Sequence, residues 1–107
     1  MTVWYGVRDL ERALDFYTRQ LGFREVYRDA DGGWMRLARD DSELALAESP
    51  EQTGAVLSVA VDDVKGEAER LRAAGVEVGV VVEISGAIRI LDVFDPEGNR
   101  LQLTQDL

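Results

Sequence analysis

Apolar and polar positions alternate over residues 2–7, where Val3, Tyr5 and Val7 share one parity. Such a period of two predicts a half-buried strand. The period then changes: Leu10, Ala13, Leu14, Tyr17 and Leu21 follow helical spacing and predict a helix over about 10–20. Asp9 stands where an N-cap is needed, and Gly22 where a helix stops. Arg12 occupies the third helical position, so no capping box forms. Alternation returns over 23–29 and 33–39, joined by Asp31-Gly32-Gly33, a strong hairpin turn, and again over 43–48.

The same order then repeats. Val7-Arg8-Asp9-Leu10 has its counterpart in Val61-Asp62-Asp63-Val64, and Leu21-Gly22-Phe23 in Ala74-Gly75-Val76. The offset is 54 at the first motif and 53 at the glycine, so one residue separates the copies. In the second copy we expect strands over 55–61, 76–83, 87–94 and 100–104, and a helix over 63–74 carrying Val64, Ala68, Leu71 and Ala74. Gly66 lies inside that helix at a cost of up to about 1 kcal/mol relative to Ala. A repeat of this period means two copies of one supersecondary unit. We therefore expect a single α+β domain over 1–107: a βαβββ module over 1–48, a linker over 49–54, and a second βαβββ module over 55–107.

Composition narrows the chemistry. The chain has 107 residues, no cysteine and no histidine. That removes disulfides, thiolate metal sites, and the commonest metal ligand and general base near neutral pH. A formal net charge of −9 argues against a nucleic-acid partner and favours cationic ones. No apolar run is long enough to span a membrane and no signal peptide is seen, so a cytoplasmic location is expected. No phosphate loop, serine elbow or nucleotide fingerprint is present.

Four stretches carry a family resemblance: VRDLERALDFYTRQLGF at 7–23, VDDVKGEAERLRAAGVEV at 61–78, Gly86 followed by Arg89, and FDPEGNRLQL at 94–103. Together they resemble the vicinal oxygen chelate superfamily of glyoxalases, extradiol dioxygenases, and fosfomycin- and bleomycin-resistance proteins. The resemblance implies a curved eight-stranded mixed sheet with helices on its convex face, often completed as a homodimer. Metal-bearing members have ligands on their first, fourth, fifth and eighth strands. Those places fall here on Thr2, Ala45 (Glu43 or Leu44 if the register slips), Val56 and Gln102. Ala45 and Val56 have no donor atom, so no metal and no other cofactor is expected.

Alternation from those positions turns further residues inward. The candidate ligand-binding residues are Trp4, Trp34, Arg36, Ser58, Gln102 and, by its match to an inward arginine of the family, Arg89. Core packing for Trp4, a hairpin or dimer contact for Trp34, and ion pairs for Arg36 and Arg89 are the structural alternatives. The expected function is metal-independent binding of a small molecule, aromatic or cationic, in a concave groove, as in the bleomycin-resistance branch. The alternatives are an enzyme of the superfamily, a lyase, isomerase or dioxygenase, and a module whose cup faces another protein. No catalytic residue is assigned.

Overall fold

The computed structural model describes residues 2–29, 31–49 and 56–107. The chain divides into two compact units, Met1–Ala55 and Val56–Leu107. Residues 50–54 of the expected linker, and residue 55 at the head of the next expected strand, lie outside the described residues.

The first unit runs β1 (Thr2–Val7), α1 (Leu10–Arg19), β2 (Arg24–Arg28), β3 (Trp34–Arg39) and β4 (Ser42–Glu48). The second runs β5 (Leu57–Ala60), α2 (Val64–Ala73), β6 (Val82–Ile84), β7 (Ile88–Phe94) and β8 (Arg100–Asp106). The two sheets have the same topology, β1-β4-β3-β2 and β5-β8-β7-β6. Thus the eight strands hydrogen-bond as two four-stranded sheets, one per unit. The β1–β4 and β5–β8 pairs are parallel and the others antiparallel, which makes both sheets mixed. No described helix is long and apolar enough to cross a membrane.

Each sheet buries one face under its helix. In the first unit Tyr5, Val7, Met35, Leu37, Leu44 and Leu46 are fully buried. They meet Ala13, Phe16 and Tyr17 of α1. Tyr17 is the hub, with its ring centroid 6.4 Å from Tyr5, 5.1 Å from Phe16 and 5.9 Å from Phe23. In the second unit Val59, Leu91, Val93, Leu101 and Leu103 pack with Val64, Ala68 and Leu71 of α2. Burying one such side chain contributes about 1.5–3 kcal/mol.

The helix ends account for the one-residue offset. Asp9 accepts from the Arg12 amide at 3.0 Å, and Asp63 from the Gly66 amide at 3.1 Å, so the starts are equivalent. At the other end the Phe23 amide donates to the Tyr17 carbonyl, and the Val76 amide to the Leu71 carbonyl. Tyr17 and Leu71 correspond, as do Phe23 and Val76, but α1 closes over one residue more. The five-residue closure after α2, with Gly75 at φ +80°, is a Schellman motif.

Two expectations change in the second unit. The Val-rich run 76–83 is not one strand: Val78 bridges Val93, Gly79 donates to the Asp92 carbonyl, and β6 begins only at Val82. The chain takes four residue steps from Val78 to Val82 opposite three from Val93 to Ile90, so one extra residue after Gly79 interrupts the strand. The second change explains Gly66. A Cβ there would land on Oδ2 of Asp63 more closely than real Cβ atoms approach, so the glycine leaves room for the capping carboxylate.

Candidate functional site

The sheet faces turned away from the helices are where unconstrained chemistry lies. In the first unit the register sets Trp4 beside Ala45, Ala45 beside Arg36, and Arg36 beside Tyr27, which makes one row across all four strands. The next row is Gly6, Ala47 and Trp34. Trp4 is 51% exposed, Tyr27 42% and Trp34 38%, although all three are large and apolar. The Tyr27 and Trp34 rings lie 4.9 Å apart, and the Arg36 guanidinium carbon sits 5.5 Å from the Tyr27 centroid. Arg36 also reaches Glu43 at 3.3 Å. Ala45 and Ala47 form a floor of methyl groups between these walls. The candidates Trp4, Trp34 and Arg36 thus share one face. Tyr27 joins them, a residue sequence reasoning missed.

In the second unit Ser58 pairs with Gln102, and Gln102 with Asp92, in a single polar row. The Gln102 amide donates to Asp92 at 3.0 Å, and Arg100 lies 3.7 Å from the same carboxylate. The neighbouring row is Ala60, Thr104, Ile90 and Val82. Ser58 and Gln102 therefore share a face, but Arg89 does not join them. Unbroken alternation along β7 places Arg89 with buried Leu91 and Val93, on the helix-facing parity. There it pairs with Glu83 at 3.1 Å.

The family's metal positions do not fit a metal. Ala45 and Val56 offer no donor, Leu44 is fully buried on the helix side, Glu43 is engaged by Arg36, and the Gln102 amide is bonded to Asp92. Thr2 is left with a weak hydroxyl donor type. Among the described residues no group of three or more acidic side chains is placed to hold an ion.

A cleft of about 490 Å³ beside the start of α1 is lined in part by Arg28, Glu11 and Glu48. Arg28 is already bonded to Glu11 at 2.6 Å and to Glu25 at 2.5 Å. Those hydrogen bonds, Glu11 first, raise its pKa above the ordinary arginine value. It ties α1 to β2 and is no titrating group.

Two βαβββ units, each with one helix-free face, define the architecture. Residues 2–103 match the Glyoxalase/Bleomycin resistance protein/Dioxygenase superfamily, and the chain belongs to that family. It is similar to TnmS3, an antibiotic binding protein from Streptomyces sp. CB03234, at 28% identity and a TM-score of 0.85, covering 99% of this chain and 93% of that one. An integron cassette protein from the mobile metagenome of Halifax Harbour Sewage Outfall is 26% identical, with a TM-score of 0.86 and coverage of 98% and 96%. Lactoylglutathione lyase from Agrobacterium tumefaciens shares the fold at 19% identity and a TM-score of 0.80, covering 98% and 91%. No curated protein matches the chain.

Proposed function

We propose that this protein binds a small molecule stoichiometrically, without a metal and without turnover, on the open sheet faces that carry Trp4, Trp34, Arg36, Ser58 and Gln102. The observation that carries the reading is the cluster of half-exposed aromatics around Ala45 and Ala47. Leaving Trp4, Tyr27 and Trp34 in water forgoes hydrophobic stabilisation that a ligand restores. The likeness to an antibiotic binding protein supports the same reading. The donor-poor metal positions support it against the lyase and dioxygenase chemistries of the family.

The protein is expected to work as a cytoplasmic homodimer. The exposed Val80, Val82 and Ile84 form an apolar edge of the kind self-association covers, and light scattering on the eluted protein reads the mass.

The test is a thermal-shift screen of chemically diverse small molecules, with elemental analysis of the unchelated protein. A binder shows a melting temperature that climbs with ligand concentration, by about 2.7 kcal/mol of stabilisation at a hundredfold excess over Kd. It also leaves the ligand unaltered and carries no stoichiometric metal. Near-stoichiometric zinc, nickel, manganese or iron, or a converted ligand, would restore the enzyme reading.

A further inference from the structure

We propose that the open face of the first sheet takes a flat, uncharged, electron-rich ring system, standing edge-on over Ala45 as the missing layer of a stack made by Trp4, Arg36 and Tyr27. This deepens the small-molecule reading and depends on it.

The geometry sets the thickness. Trp4, Ala45, Arg36 and Tyr27 are successive members of one row. Neighbouring strands lie about 4.8 Å apart, so the walls on β1 and β3 stand about 9.6 Å apart at the backbone. A slab touching both walls uses about 3.5–4.0 Å per face, or about 7–8 Å in all. One aromatic layer fits and two do not, and a saturated ring system is too thick. Alanine at 45 and 47 keeps the trough clear along β4, for about 6.6 Å between those residues. Glu43, bonded to Arg36, stands at one end, whereas the Gly6–Ala47 row leaves the other low.

The charges select within flat molecules. The Arg36 guanidinium carbon sits 5.5 Å from the Tyr27 centroid, and Arg36 stands between Tyr27 and Ala45 in the row, so the wall nearest Ala45 on this side carries a positive charge. The ligand therefore stacks against a cation, which rewards an electron-rich ring and penalises a cationic one. Glu43 beside that guanidinium disfavours an anionic ring. The acidity of the whole chain favours cations at long range, but at this trough the nearest charge is Arg36.

The chain's two tryptophans make the test direct. Acridone (flat, neutral), proflavine (flat, cationic, of similar size) and 1-adamantanol (compact, saturated) are titrated into the full chain. In Trp34→Phe, Trp4 is the sole tryptophan reporter. Acridone is expected to quench Trp4 and to bind about fivefold more tightly than proflavine, with no competition from adamantanol. Trp4→Ala should weaken acridone about tenfold, Arg36→Ala about fivefold, and Arg36→Lys about threefold because the charge stays and the plane is lost. Both side chains altered, Trp4 and Arg36, are outside the core, and unchanged melting temperatures check that the variants fold. Acridone binding that ignores Trp4→Ala and Arg36→Ala, or adamantanol competing equally, overturns the stack. So does an absence of acridone binding up to its solubility limit. If other compounds still raise the melting temperature, the stack alone falls; if none does, the small-molecule reading falls with it.

Discussion

Gly66→Ala is expected to lose stability, against the usual direction for a helical glycine. An alanine inside a helix is more favourable than glycine by up to about 1 kcal/mol. At position 66 the added methyl displaces the Asp63 carboxylate, which caps α2 through the Gly66 amide at 3.1 Å. Loss of such a cap costs about 0.5–2 kcal/mol. The two terms nearly cancel, with a net loss of about 0–1 kcal/mol. The equivalent position in α1 holds Arg12, and its cap Asp9 sits at φ −120° where Asp63 sits at −147°. Asp63 is less able to copy that backbone, since the adjacent Val64 amide is held by the Gln105 side chain at 3.0 Å. The decisive measurement is a double-mutant cycle by urea denaturation. Asp63→Ala alone should cost about 1 kcal/mol. Adding Gly66→Ala to that background should return up to about 1 kcal/mol, because no carboxylate remains to displace. The sign of the glycine effect thus reverses between backgrounds. Equal stabilisation by Gly66→Ala with and without Asp63 would refute the steric account.

Two further substitutions probe the second unit. Asp95→Ala should cost about 2–4 kcal/mol by urea denaturation, since the 5% exposed carboxylate accepts from the amides of Glu97 and Asn99 and from the Asn99 side chain, at 2.8–3.0 Å. Gln102→Glu sets a second carboxylate against Asp92, where the amide now donates at 3.0 Å. Like charges raise the folded-state pKa of the pair, so the loss is full at neutral pH and fades as pH falls toward about 4. Melting curves at pH 7 and pH 4 should show the variant approaching the wild type only in acid.

The frame was legible because it is written redundantly: capping aspartates, helical spacing and stop glycines each appear twice. The face assignments of Trp4, Trp34, Arg36, Ser58 and Gln102 followed from period-two counting, which holds wherever strands pair without interruption. It failed at two kinds of place. On β2 the register shifts between Glu25 and Tyr27, so the bulge puts Arg24 and Tyr27 on one face and Glu25 and Arg28 on the other. Nothing in Arg-Glu-Val-Tyr-Arg announces that extra residue, and Tyr27 went unnoticed. Arg89 differs for another reason: the resemblance sets it inward, whereas its parity with Leu91 and Val93 sets it on the helix side. The Val-rich run after α2 differs because hydrophobicity alone cannot show the extra residue between the Val78 bridge and β6.

The duplication separates what folding requires from what it leaves free. Matching the two registers makes Tyr5 equivalent to Val59, Met35 to Leu91, Leu37 to Val93, Leu44 to Leu101 and Leu46 to Leu103. Each of these five buried pairs is apolar in both copies. On the open faces Trp4 corresponds to Ser58, Ala45 to Gln102, Trp34 to Ile90 and Arg36 to Asp92, and of these four pairs only Trp34 and Ile90 are both apolar. One relation survives in inverted form. Glu43 corresponds to Arg100, so the Arg36–Glu43 pair at 3.3 Å and the Asp92–Arg100 pair at 3.7 Å occupy the same two sites with their charges exchanged. Exposed pairs of this kind contribute about 0–1 kcal/mol, too little to account for keeping both on stability grounds. Their common effect is on the open faces, where they fix the orientation of one cation above a trough of alanines and one anion beside an amide. An aromatic, arginine-walled face and an amide-carboxylate face built on one frame give the protein two chemically distinct open surfaces, and the substitutions that tell them apart are confined to residues the cores do not need.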